Sequence, residues 1–186
     1  MVRFKHISRA IADERLVDNA TEVGDYLLGL LKKFWKIGNA RGRGLMVAFD
    51  LEDTARRDAV LEKLGKNMLA LKSGERSIRL RPHLTFSRKD ADAAMEFMAG
   101  TIASTIGRLD AAVSHYSNAQ MIDPSAARYP LFLAQVQIKL NKIEEAKANL
   151  LRSGRIDPDQ AVVWGTLAEL AMRENKPGVA LQHIAR

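Results

Sequence analysis

Residues 41–51 read RGRGLMVAFDL, and they predict the first part of a small β-sheet. The glycines at the start are typical of a turn, and the residues after them alternate between two faces of a strand. One face is wholly apolar and carries Leu45, Val47, Phe49 and Leu51. We therefore expect a strand that buries this face and leaves Met46, Ala48 and Asp50 on the other.

Residues 74–88 read GERSIRLRPHLTFSR and predict a further strand of the same sheet. Ile78 and Leu80 share one face of this strand, and Arg79 and Arg81 share the opposite face. Two neighbouring guanidinium groups offer paired N–H donors that match a carboxylate or a phosphate. The residues leave a second interpretation open, in which both arginines pair with acids of the sheet. Those acids are Glu75, Asp50 and Glu52.

Apolar periodicity and capping residues predict the elements that flank these strands. Apolar side chains recur every three or four positions over 13–36, which indicates one amphipathic helix. Asp53 is a predicted N-cap for a helix over 54–64. A short strand is expected over 68–72.

Ser87 and Asp90 form a predicted capping box that opens a helix ending near Ile106. The expected order of elements up to this point is helix, strand, helix, strand, strand, helix. Residues 1–106 are therefore predicted to form a small α+β domain.

From Gly107 onward the sequence repeats with a period of 34 residues. Ala112, Ala146 and Ala180 occupy one position of the repeat, and an Asp-Pro pair recurs at 123–124 and 157–158. The pattern resembles tetratricopeptide repeats and predicts an all-α solenoid over 107–186. We expect one second helix, one complete pair and one last pair, over 107–121, 126–153 and 160–186.

Two irregularities follow from this register. The predicted helix over 88–106 stands where the first helix of the first repeat should be. The last repeat stops inside its second helix, so we expect an exposed apolar face that favours self-association or a continuation. The chain is interpreted as a join of two fragments, with domains over 1–106 and 107–186.

The segments 41–51 and 74–88, in this order and with a helix between them, resemble the C-terminal small domain of class III pyridoxal-phosphate aminotransferases of the lysine 6-aminotransferase type. The resemblance extends over about residues 1–106. It implies that Arg79 recognises a substrate carboxylate, with Arg81 as a supporting charge beside it. His83 departs from the proline or threonine that is usual in the family.

The resemblance also implies pyridoxal phosphate as the cofactor of the parent family. That chemistry needs a Schiff-base lysine, a carboxylate facing the pyridine nitrogen and a phosphate cup. In the family these groups belong to the large domain, and none of the twelve lysines here lies in a recognisable cofactor motif. We therefore expect no catalytic residues and no bound cofactor in this chain alone, although a separate large domain could complement it.

Composition narrows the remaining classes of function. The chain has no cysteine, four scattered histidines and no long apolar run, which predicts no disulfide, no metal site and no membrane segment. The net charge is +7, but basic residues alternate with acids and lack an aromatic stacking pattern, so nucleic-acid binding is not expected. A cytoplasmic protein is the expectation.

Two functional hypotheses remain. In the first, residues 1–106 are an aminotransferase small domain that is inactive alone. In the second, the repeats bind a protein or peptide, and Lys139, Lys142 and Lys147 either meet an acidic peptide or simply form a solvated helix face.

Overall fold

A four-stranded antiparallel sheet stands at the centre of the N-terminal part of the chain, with strand order β1-β2-β4-β3. The computed structural model describes residues 2–34, 36–65 and 70–185. Within these residues the elements are, in order, α1 Val2–Asp13, α2 Leu16–Lys33, β1 Gly38–Arg43, β2 Met46–Asp50, α3 Thr54–Leu64, β3 Ala70–Ser73, β4 Ser77–Leu80, α4 Arg88–Thr105, α5 Leu109–Ile122, α6 Arg128–Lys139, α7 Ile143–Ile156, α8 Ala161–Arg173 and α9 Pro177–Ile184. The α+β part followed by helical repeats confirms the predicted fold class.

One face of the sheet packs against α2, α3 and α4, and the other face is open. The covered face includes the predicted alternate residues Leu45, Val47, Phe49, Leu51, Ile78 and Leu80, each at most 6% exposed. The period-two pattern of the two segments therefore identified the buried face correctly.

The helix predicted over 13–36 is confirmed as α2, while α1 was not predicted, and a break at residues 14 and 15 separates the two helices. Arg15 adopts a left-handed conformation at the break (φ 49°), and its Nε donates to Asp18 Oδ2 at 2.9 Å. The predicted helix began at residue 13, close to this break, and the segment before residue 13 carried no prediction.

The first strand was also missed, because Gly38–Arg43 was interpreted as a break and a glycine turn. These residues form β1, whose Arg43 pairs with Met46 of β2. The turn falls at Gly44, where φ is +53°. The strand predicted over 68–72 is observed as β3 from Ala70, while residues 68 and 69 lie outside the described residues.

Helix α4 begins with the predicted capping box. Ser87 Oγ accepts from Asp90 N at 3.1 Å, and Asp90 Oδ2 accepts from Ser87 N at 2.8 Å. The predicted cap of α3 is confirmed as well, since Asp53 Oδ1 accepts from Arg56 N at 2.7 Å. Both helices therefore begin where the sequence predicted.

The helical pairs share one turn geometry, repeated at the predicted period. Gly107, Asn141 and Asn175 stand 34 residues apart and are all left-handed, with φ of 81°, 60° and 57°. The residue after each donates its N–H to the carbonyl five positions earlier, at 2.9, 2.8 and 2.9 Å. The turn between α4 and α5 is therefore the same turn as those between α6 and α7 and between α8 and α9.

It follows that α4 is both the last helix of the α+β part and the first helix of the first repeat. Its residue Gly100 lies against Tyr116 of α5, so closely that a Cβ at Gly100 would lie 2.7 Å from ring carbons. Phe97 packs against Tyr116, Tyr129 and Phe132, with ring centroids 5.7, 5.5 and 5.0 Å away. A single apolar cluster thus extends from the sheet through α4 into α5 and α6.

Candidate functional site

A basic concavity lies on the open face of the sheet. Its centre is a row of residues directly opposite one another on neighbouring strands, in which Arg41, Ala48 and Arg79 lie side by side. The lining residues are Arg41, Gly42, Arg43, Met46, Val47, Ala48 and Arg79. Ala48 is small and leaves room between the two arginines, so an anion bound over Ala48 would have a guanidinium group on each side.

Arg41 is already paired with an acid. Its Nη1 donates to Asp50 Oδ1 at 2.9 Å, and its Nη2 donates to Ser77 Oγ at 3.0 Å. Ser77 Oγ in turn donates to Asp50 Oδ1 at 2.5 Å, and Asn39 Nδ2 donates to Asp50 Oδ2 at 3.1 Å. The hydrogen bond from Ser77 is the largest influence on this carboxyl, and with those from Arg41 and Asn39 it outweighs desolvation and lowers the pKa of Asp50 to about 2.

Arg79 is in a different situation from Arg41. Its Nε is buried without a hydrogen-bond partner, and no ion pair joins Arg79 to an acid among the residues that the structure describes. Asp50 is held by Arg41 and Ser77, and Glu52 pairs with Arg56. A buried N–H donor without a partner favours an incoming acceptor such as a carboxylate oxygen.

Arg81 does not share this concavity. It follows the end of β4 and is exposed. Together with Pro82 it lines a second cavity. The sequence placed Arg79 and Arg81 on one face of a strand, but the strand ends at Leu80, so strand alternation no longer orients Arg81.

Three basic residues of the structure acquire roles that sequence analysis did not assign. Arg41 and Arg43 line the concavity, although they were interpreted as part of a turn. Arg57 of α3 is fully buried, and its Nη1 donates to Gly74 O at 3.0 Å, which anchors the β3–β4 turn. The apolar pattern of α3 did not indicate that Arg57 would be buried, so only the tertiary contacts reveal this role.

The described lysines do not form a Schiff-base site in either cavity. None of them lines the concavity on the sheet or the second cavity, and Lys36 lines only a third cavity of about 20 Å³. Lys63 is partly buried, and this burial together with the charge of Lys139 lowers its pKa. Its Nζ donates to Ser104 Oγ at 3.5 Å and to Thr105 Oγ1 at 3.4 Å. Neither cavity therefore fits pyridoxal phosphate, which needs a lysine beside its ring.

Replacement of Ser77 by alanine tests the hydrogen-bond network of Asp50. We expect the pKa of Asp50 to rise towards its ordinary value of 3.8 and the free energy of unfolding at neutral pH to fall by about 1–2 kcal/mol. A lowered folded-state pKa contributes stability above the unfolded-state pKa, and this contribution disappears as the pH falls through about 2. The part of the Ser77→Ala deficit that depends on ionised Asp50 should therefore be full well above pH 3.8 and be lost as the pH falls through about 2, as measured by urea unfolding and an NMR titration of the carboxyl.

Ser73→Ala is the matched control, because Ser73 lies directly opposite Ser77 in the sheet. The structure shows no hydrogen bond from its side chain to Asp50. A Ser73→Ala protein that lost as much stability as Ser77→Ala would contradict the role given to the Ser77 hydroxyl.

Comparison with known proteins finds a different family in each part of the chain. Residues 2–102 match the family model "Aminotransferase class-III", and residues 107–170 match the tetratricopeptide repeat model. The chain is 39% identical over 111 residues to the L-lysine-epsilon aminotransferase of Amycolatopsis lactamdurans, covering 56% of this chain and 25% of that protein. It is 40% identical over 111 residues to the 4-aminobutyrate aminotransferase of Kluyveromyces lactis, covering 55% and 23%.

Solved structures also include aminotransferases and helical-repeat proteins that this chain resembles. The lysine aminotransferase of M. tuberculosis superposes with a TM-score of 0.50 at 34% identity, over 57% of this chain and 25% of that one. MamA matches with a TM-score of 0.50 at 14% identity over 50% of this chain and 55% of its own, which shows a common helical fold. The chain thus spans about a quarter of the length of the aminotransferases it matches. None of the described helices is long and apolar enough to cross a membrane.

Proposed function

This chain belongs to the class-III aminotransferases through residues 2–102, and from that premise we propose that it acts as a protein-interaction module. In this proposal the aminotransferase-like sheet supports the tetratricopeptide helices, and these helices bind the partner protein. Repeats of this kind generally form extended surfaces for protein–protein interaction.

The observation that carries this proposal is the double role of α4. Phe97 and Gly100 of α4 pack on the repeats, while Met98 and Ile102 belong to the core beneath the sheet. A helix shared in this way holds the repeats at a fixed angle to the sheet. We propose that the boundary at 106/107 separates two ancestries and does not separate two folding units.

The partner surface is assigned to α6 and α8, the first helices of their pairs. The corresponding helix α4 is covered by α2 and α3, so it is not available to a partner. Helix α8 leaves Val162 50% and Met172 59% exposed. Lys147, one of three lysines considered for an acidic peptide, pairs instead with Glu144 and Glu174 and is held within the chain. Lys139 and Lys142 remain exposed.

We propose further that these residues do not carry out transamination alone. The absence of a lysine from both cavities supports this statement for the described residues. Pyridoxal phosphate, when bound to an aminotransferase, acts as the electron sink for the reaction. By resemblance, Arg79 keeps the ability to recognise a carboxylate, which would matter if a separate large domain completed the site.

A displayed peptide library, screened against the full chain, tests the interaction proposal. We expect enriched peptides whose binding falls at least about tenfold in Met172→Glu, because a charge on the α8 surface disrupts apolar contact. Met121→Glu is the matched control, since Met121 of α5 is 73% exposed and lies on a second helix of a pair. Peptides that tolerate Met172→Glu as well as they tolerate Met121→Glu would contradict the assigned surface.

A titration of the same protein with pyridoxal phosphate distinguishes the module from an enzyme. We expect no more Schiff-base absorbance, fixed by borohydride, than in an unrelated protein of equal lysine content. A stoichiometric adduct at one lysine, mapped by mass spectrometry, would show that the chain carries a cofactor site.

A further inference from the structure

A cavity of about 220 Å³ lies where the α+β part meets the repeats. Leu80 and Phe86 form the side next to the sheet, Met95 and Met98 of α4 form the base, and Tyr129 of α6 closes the other side. Neither part of the chain forms this cavity alone, and we call it the junction cavity.

The wall beside the sheet is held in place by hydrogen bonds. Asn19 of α2 donates its Nδ2 to Leu84 O at 2.8 Å and to Phe86 O at 3.1 Å. The loop that carries Phe86 is thus fixed to a helix, and the junction cavity does not depend on a mobile loop. A cavity of roughly 150 Å³ with apolar walls is sufficient for benzene, so the junction cavity can hold a small organic molecule.

The acids that line the junction cavity are committed to the local turns. Asp90 Oδ2 accepts from Ser87 N and Ser87 Oγ, both at 2.8 Å. Asp123 Oδ1 accepts from Ser125 N at 3.1 Å and from Ser125 Oγ at 2.6 Å. Both carboxylates therefore already have hydrogen-bond partners within the chain, and these bonds explain why the two acids stand at these positions.

Arg81, one of the two arginines that line it, is placed differently from these acids. Arg81 is exposed at the rim, and no hydrogen bond or ion pair joins it to another residue in the described part of the chain. Arg128 lies on the opposite part, with its guanidinium carbon 5.2 Å from the centre of the Tyr129 ring. An anion at the rim would meet Arg81 without breaking an existing ion pair.

We propose that the junction cavity binds a small apolar carboxylic acid, whose hydrocarbon part lies between Phe86 and Met95 and whose carboxylate meets Arg81. Arg128 adds positive charge from the side of the repeats. A ligand of this class would touch both parts of the chain at once and would stabilise their contact. Arg128 and Tyr129 of this site lie at the start of α6, whereas the test of the partner surface uses Met172 of α8, so either proposal can fail without the other.

Octanoate is the probe, and the methyl groups of methionine report where it binds. With ¹³C-labelled methionine, we expect saturable NMR shifts at Met95 and Met98 with a dissociation constant of about 0.1 mM. Met121 and Met172, which are 73% and 59% exposed elsewhere, should not shift. Equal shifts at all four methyls would mean non-specific association and would overturn the proposal.

Two variants, one control variant and one analogue distinguish the effect of the charge from the effect of the cavity. Arg81→Gln should weaken octanoate binding about tenfold, while Arg43→Gln, which removes the same charge from the other concavity, should leave it unchanged. Ala94→Phe fills the junction cavity and should abolish binding. Octanol, which lacks the carboxylate, should bind about as weakly to the wild type as octanoate does to Arg81→Gln. Octanol that binds as tightly as octanoate, or an Arg81→Gln protein with unchanged affinity, would overturn the proposal.

Discussion

Residues 107–186, cut from the rest of the chain, are expected to lose cooperative folding at their N-terminal end. Helix α5 buries Ala112, Tyr116 and Ala119 to 1% exposure or less, largely against α4, which the cut removes. The hydroxyl of Tyr116 also donates to Thr101 Oγ1 of α4 at 3.2 Å. Exposure of a buried aromatic side chain of this kind costs about 3–5 kcal/mol, which is a large part of the stability of a small domain.

The comparison that isolates the effect uses residues 87–186, which restore α4 and its capping box. We expect this longer chain to unfold in one cooperative step by circular dichroism, with slow hydrogen exchange over α5. The shorter chain should show fast exchange over α5 and a broad, weak transition. Equal protection of α5 in both chains would mean that α4 is not needed for the first repeat, contrary to the shared core.

Gly24→Ala is expected to destabilise the protein by about 3 kcal/mol, although alanine is the better helix former. A Cβ at Gly24 would lie 2.2 Å from both the carbonyl carbon and the oxygen of Gly44. Those atoms are backbone atoms of the β1–β2 turn, where Gly44 has a φ of +53°, so no side chain can move aside. The helix and the turn must therefore move apart. This movement lowers the free energy of unfolding and loosens the packing around Val23.

Gly29→Ala, in the same helix, is the control for this substitution. No atom lies within 4 Å of a Cβ at Gly29, so alanine should raise the free energy of unfolding by up to about 1 kcal/mol. Urea unfolding of both variants should therefore give changes of opposite sign for one chemical change. Equal and small effects would show that α2 can shift away from the turn without loss.

Much of the fold could be predicted because it depends on local patterns. The 34-residue period, the buried face of the sheet and the caps at Asp53 and Ser87 were all predicted from neighbouring residues. Strand β1 was missed because two glycines and three arginines or polar residues carry little strand propensity, and pairing with β2 decides its conformation. Helix α1 was not predicted, although the helix that follows it was.

The sites were less predictable than the elements. Alternation along a strand placed Arg79 on the open face. It could not indicate that Arg41 would form the ion pair with Asp50, or that the Nε of Arg79 would lack a hydrogen-bond partner. The junction cavity depends on the distance between Phe86 and Tyr129, which are 43 positions apart in the chain. Contacts of that sequence separation leave no local pattern. The substrate role of Arg79 and the supporting role of Arg81 therefore stay predictions.

The left-handed turn at Gly107 also determines how movement would pass through the molecule. The same turn at Asn141 and Asn175 joins the helices of the later pairs, so α4 and α5 are connected in the same way. Because α4 also belongs to the apolar cluster of the sheet, a shift of the sheet would reach α5 through this one helix.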